Sequence, residues 1–157
     1  MSQIVCSADM LAPPATVFFF MEDPAHHVLW MEGVEESRTE HLASEGVGTR
    51  IVQSVREGRG HTEYRGEVIG MARPTYLALR VGHTNFQLRV DFRLAATSTG
   101  TRVDLACDPV EGSFLVRLVM FLFGWTMKGT AQRSLHKLGE IAAFKHAEDG
   151  ARRRDAQ

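Results

Sequence analysis

FQLRVDFRL, residues 86–94, alternates without an exception: Phe86, Leu88, Val90, Phe92 and Leu94 are apolar, and Gln87, Arg89, Asp91 and Arg93 between them are not. A period of two predicts a strand with one buried and one wet face. Strands wet on one side belong to antiparallel sheets. Val103, Leu105 and Cys107 repeat the pattern against Arg102, Asp104 and Asp108.

The same texture reaches back to Val34, cut by turn residues at Glu45-Gly46-Val47-Gly48, Gly58-Arg59-Gly60, Arg73-Pro74, His83-Thr84-Asn85 and Ser98-Thr99-Gly100. Six strands therefore fill residues 34–108. Beyond Pro109 the period changes: Ala131, Leu135, Leu138 and Ala142 recur on one helical face. Gly124 and Gly129 weaken the middle of this segment and predict a break near Gly124 between a short and a long helix. At the other end, residues 3–11 read as a strand closed by Pro13-Pro14, with Pro14 opening a helix that runs through Val17 to Met21. Asp23-Pro24 starts a second short helix carrying His26, His27, Leu29 and Trp30, which Gly33 ends. The order is strand, two short helices, six strands, long helix: one domain over residues 1–148, followed by a polar, disordered tail at 149–157.

A length of 157 residues suits one core, and 44% hydrophobic with 24% charged residues is the balance of an ordinary globular chain. A formal net charge of -1 removes the electrostatic case for nucleic acid as a partner. Arg152-Arg153-Arg154 reads as a solvated terminus. The start, MSQIVCSADM, lacks the basic and apolar regions of a signal peptide. Cys6 and Cys107 are too few for a disulfide framework or zinc site and read as small buried apolar residues of a cytoplasmic protein. Arginine outnumbers lysine fifteen to three, pointing to a GC-rich bacterial genome. FLVRLVMFLFGWTM, residues 114–127, is interrupted by Arg117 and falls short of the roughly 20 residues of a membrane span. It reads as a buried or partly exposed helix.

A seven-stranded antiparallel sheet must cover its apolar face, and the long helix is the one element large enough to do so. One helix cannot fill all the space over a wide curved sheet, so a mostly dry cavity follows. The order of elements resembles the START/polyketide-cyclase (SRPBCC) superfamily, the helix-grip or birch-pollen-allergen-like fold. APPATVFFFMEDPAHHVLW looks like that family's opening, EGVGTRIVQSVREGRGHTEYRGEVIGMARPTYLALRV like its central hairpins, and GTRVDLACD before a long helix like its close. The likeness covers about residues 3–146. It implies an α+β helix-grip fold and a cavity for hydrophobic ligands. It does not imply one activity, because the superfamily spans carriers, ligand binders, cyclases and chaperone cofactors.

Strand parity says which side chains face that cavity. Ile51, Gln53 and Val55 point inward, as do Thr62, Tyr64 and Val68, then Leu77, Leu79, Val81 and His83, and finally Phe86, Leu88 and Val90. A slip of one residue would bury Glu63, Arg65 and Glu67 together. Gln53, Thr62, Tyr64 and His83 are the polar groups able to orient a ligand. Alternatively Tyr64 and Gln53 satisfy each other, or hold an internal water, and His83 is solvated beside its turn. Trp30, Phe121 and Trp125 are rings that line or gate the pocket, or simply pack. His26 and His27 project about 100° apart and do not converge on a metal. Ser37, Ser44 and Ser113 lack a nucleophile setting, and no cofactor motif is present.

Three functions fit. The first is binding or transport of a small hydrophobic ligand of lipid, polyketide or isoprenoid type. The second is a cyclase or dehydratase using Tyr64 with His83 or Gln53, weakened because no inward Asp or Glu is expected. The third is a module making transient membrane or protein contact through residues 114–127. Ligand identity and oligomeric state stay open.

Overall fold

The computed structural model describes residues 4–84, 86–110 and 114–157. Gln3, Asn85 and Ser113, which the sequence reading touches, lie outside them. Seven antiparallel strands run β1 (Ile4–Met10), β2 (Val34–His41), β3 (Arg50–Glu57), β4 (Gly60–Ala72), β5 (Tyr76–His83), β6 (Phe86–Ala96) and β7 (Thr101–Pro109). Their order across the sheet is β1-β7-β6-β5-β4-β3-β2, so the first and last strands are neighbours and the rest form a meander. A bulge between Val68 and Gly70 interrupts the register of β4 with β5. Such an extra residue bends a long strand and helps curl the sheet.

Two short helices separate β1 from β2. Pro14 takes the first position of α1 (Pro14–Glu22), and Pro24 opens the 3-10 helix Pro24–Leu29, where the Asp23 carboxylate accepts from the Ala25 amide at 2.9 Å. Both placements use a proline where an N–H has no helical partner. Val17, Phe18, Phe20 and Met21 of α1 are buried. At the turn before β7, a Cβ on Gly100 would stand 1.9 Å from the Met10 carbonyl oxygen, so only glycine lets this turn approach the chain leaving β1. Thr101 fastens the contact by donating its hydroxyl to the Ala12 carbonyl at 2.7 Å.

The last helix, α2 (Phe114–Asp155), is a single element of 42 residues. The break expected near Gly124 does not occur. Each glycine costs only about 1 kcal/mol relative to alanine, too little to divide a helix of otherwise adequate formers. Nor does the helix stop at residue 148. Lys145–Asp149 and Glu148–Arg152 pairs at 3.7 and 2.9 Å span successive turns, and Arg152, Arg153 and Arg154 sit at the end where the helix dipole favours cations. Leu135, Leu138 and Ala142 are buried, and this half of α2 packs mainly over β1, with lighter contact to α1 and β7. No helix among the described residues is long and apolar enough to cross a membrane.

Candidate ligand cavity

Burial falls in the same direction along neighbouring strands of the concave face. On β5, Leu77 and Leu79 are buried, Val81 is half-buried and His83 exposed. On β6, Leu94 and Phe92 are buried, whereas Val90, Leu88 and Phe86 are half-buried. One end of the sheet is thus plugged by α1, the 3-10 helix and the second half of α2, and the other is open. At the boundary lies an apolar pocket of about 280 Å³ lined by Ile4, Val90, Leu105, Cys107, Met127 and Ala131, with Thr126 and Thr130 from α2. Ile4, Cys107, Val90 and Leu79 form one row across four adjacent strands. Burial holds the Cys107 thiol well above its usual range, at about 12, so it lines this pocket as an apolar group.

Four residues further along β5, about 13 Å by strand rise, a polar row marks the open rim. His83 pairs with Phe86, and Tyr64 pairs with Gln53. The His83 ring stands 5.4 Å from that of Tyr64 and 6.2 Å from that of Phe86. A Cβ on Gly82 would lie 2.0 Å from the Phe86 carbonyl oxygen, so glycine is required for the hairpin that presents this pair. Tyr64 donates its hydroxyl to Glu57 in a short hydrogen bond, and Thr62 donates to the other carboxylate oxygen of Glu57 at 2.8 Å. These two bonds hold the Glu57 carboxyl below the usual carboxylate range, with a smaller contribution from His83. Burial and then the Glu57 bond push the Tyr64 phenol up to about 12. Around neutral pH the rim therefore offers an ionised acceptor beside a protonated phenol, and neither is tuned to exchange a proton there.

Several expected site residues lie elsewhere. Gln53 is buried and committed: its side-chain amide donates to His27 Nδ1 at 2.9 Å and to Ser37 Oγ at 3.3 Å. It does not satisfy Tyr64, although the two residues are cross-strand partners. Leu79 is buried in the same row as Val90 and Cys107 but does not line the pocket. Trp30 is core as well; its Nε1–H donates to the Phe20 carbonyl at 2.9 Å and its ring meets Phe92 edge-on. Phe121 and Trp125 are 80% and 79% exposed, so neither lines the cavity. Trp125 stands two residues from the pocket residue Met127, which turns it about 160° away around the helix. Glu57, exposed at the end of β3, was not among the expected site residues, though continuing the parity of Ile51, Gln53 and Val55 by one step reaches it.

A larger cleft of about 460 Å³ opens between α1, the start of the 3-10 helix and the loop around Leu42–Gly46. The Glu22–Arg73 ion pair at 2.5 Å lines it together with Asp23 and His26, which makes it a poor match for an apolar ligand. Among the described residues, no group of three or more histidine, cysteine or acidic side chains is arranged to hold a metal.

A curved sheet, plugged at one end and open and apolar at the other beneath a long helix, defines a helix-grip cavity protein. The chain belongs to the family described as "Polyketide cyclase / dehydrase and lipid transport", which matches residues 1–143. That membership supports a role in ligand binding or of cyclase type. Its fold is shared by the Zhui aromatase/cyclase from a Streptomyces species, at 12% identity and a TM-score of 0.72 over 88% of this chain and 92% of that one. The TTHA0849 protein from Thermus thermophilus is similar at 18% identity, TM-score 0.71, covering 88% and 95%. Ara h 8.0201 is similar at 11% identity, TM-score 0.69, also covering 88% and 95%. No curated protein matches the chain in sequence.

Proposed function

We propose that this chain binds and carries one small hydrophobic molecule of lipid, polyketide or isoprenoid type, without transforming it. The apolar body of the ligand lies against Val90, Leu105, Met127 and Ala131. A hydroxyl or other donor at its polar end meets the Glu57 carboxylate beside Tyr64 and His83. The observation that carries this reading is the common burial gradient along β5 and β6, which leaves Val81, Leu88 and Val90 half-covered toward one end of the concave face. Two free, buried cysteines agree with a reducing, cytoplasmic setting. Ala131→Phe tests the reading by filling the pocket from the helix side. A fluorescent fatty acid analogue that binds the parent should lose at least tenfold in affinity to the folded variant, and unchanged affinity would remove the pocket from the account.

The second reading, a cyclase-type enzyme, is favoured by one feature: Tyr64, Glu57 and His83 gather at the rim of the same cavity. The opposed directions of the Glu57 and Tyr64 shifts count against it, since a general acid or base works best with a pKa near the working pH.

A further inference from the structure

Among the described side chains, the first turns of α2 expose six large apolar residues, five of them on one side and Phe123, 56% exposed, apart from them. Met120 is buried and Met127 packs against the core, both turned toward the sheet. Phe114, Leu118, Phe121, Leu122 and Trp125 are 80%, 39%, 80%, 54% and 79% exposed. At 100° per residue these five fall within about 100° of arc, forming one stripe roughly 17 Å long. Such a continuous run of large apolar side chains is unusual on a protein that meets only water.

We propose that this stripe docks the protein on an anionic lipid surface, with α2 lying in the plane of the interface. Charge selects this occupant. Between Phe114 and Gly139 the helix holds Arg117, Lys128, Arg133 and Lys137 and not one acidic residue. Arg133 is answered by Glu32 at 2.9 Å and Lys137 by Glu140 at 3.6 Å. Arg117 and Lys128 form no ion pair among the described residues, and by helical position both flank the stripe on one side. Long basic side chains beside an apolar stripe that carries Trp and Phe suit a headgroup layer holding negative charge. A second copy of the chain fits less well. Stripe against stripe would bring Arg117 and Lys128 of two copies together with no carboxylate on the segment to answer them. The helix does not cross the bilayer, because it lacks the apolar length.

Docking goes beyond ligand binding and needs no occupied cavity, so the two can fail separately. The test is flotation of the purified chain with vesicles of phosphatidylcholine alone and of phosphatidylcholine with phosphatidylglycerol. Flotation with the anionic vesicles is expected, with a blue shift of tryptophan emission from Trp125, since Trp30 is already buried. The double variant Phe121→Ser/Trp125→Ser should bind at least tenfold more weakly, and so should Arg117→Glu/Lys128→Glu. Circular dichroism checks that each remains folded, and Ala131→Phe should float like the parent. Flotation that is absent, or indifferent to both double variants, overturns the proposal. So does a dimer in sedimentation that Phe121→Ser converts to monomer while vesicles bind nothing.

Discussion

The Gln53 amide donates to Nδ1 of His27 at 2.9 Å, while the opposite ring nitrogen of His27 donates to the Met21 carbonyl at 2.8 Å. A carbonyl can only accept, so the proton sits on Nε2 and Nδ1 is free to accept from Gln53. The neutral ring bridges β3 to α1 through the 3-10 helix. It is 2% exposed. Burial depresses its pKa to about 4, against smaller opposing effects of the Met21 bond and Asp23.

This bridge makes stability fall in mild acid. In the unfolded chain the ring takes up a proton near its ordinary pKa of about 6.5, whereas the folded chain resists until about 4. The unfolded state thus binds more protons throughout that window. The contribution is complete above the unfolded value and is lost as pH falls through the folded one, about 3 kcal/mol in all. Urea unfolding from about pH 7 to about pH 5 should show a loss of about 2 kcal/mol that His27→Gln removes. An unchanged slope in the variant would assign the effect to other groups.

Gln53→Leu leaves Nδ1 of His27 without its donor in a buried place. A loss of about 1–3 kcal/mol is expected, the cost of an unsatisfied buried polar group. Thermal unfolding measures it. A neutral result would mean that water reaches the ring.

Tyr64→Phe separates the two functional readings. For a carrier, affinity should fall by only about 0.5–1.5 kcal/mol, the worth of one hydrogen bond. For an enzyme, turnover should fall by about two orders of magnitude or more with binding intact. If neither property changes, Tyr64 does not belong to the site.

The two halves of α2 should respond oppositely to truncation. Leu138→Ala removes a fully buried side chain from the helix–sheet contact and should cost about 2–5 kcal/mol in chemical unfolding. Phe121→Ala, on the exposed stripe, should stay within about 0.5 kcal/mol of the parent. Equal effects would contradict the orientation of the helix.

The strands were readable because each meets water on one face only, so Phe86 to Leu94 declare their sides by alternation. The same alternation puts Thr62 and Tyr64 on the less exposed side of β4. Where the sequence misled, a local signal met a larger balance. Gly124 suggests a break, yet its penalty is small beside a helix of 42 residues. Phe121 and Trp125 suggest an interior, but apolar residues also face water, and here the inward positions belong to Met120 and Met127. Glu57 was hidden because Arg56 and Glu57 beside a turn look like solvated charges. His27 was hidden for another reason: its partner Gln53 is 26 residues away, and only the folded chain brings them together.

Native mass spectrometry of the protein purified from its own host asks whether the cavity is a ligand site. One hydrophobic molecule per chain is expected, released by organic extraction and absent from Ala131→Phe prepared in the same way. A chain at its bare sequence mass, unresponsive to a panel of lipids, polyketides and isoprenoids, would contradict the carrier reading.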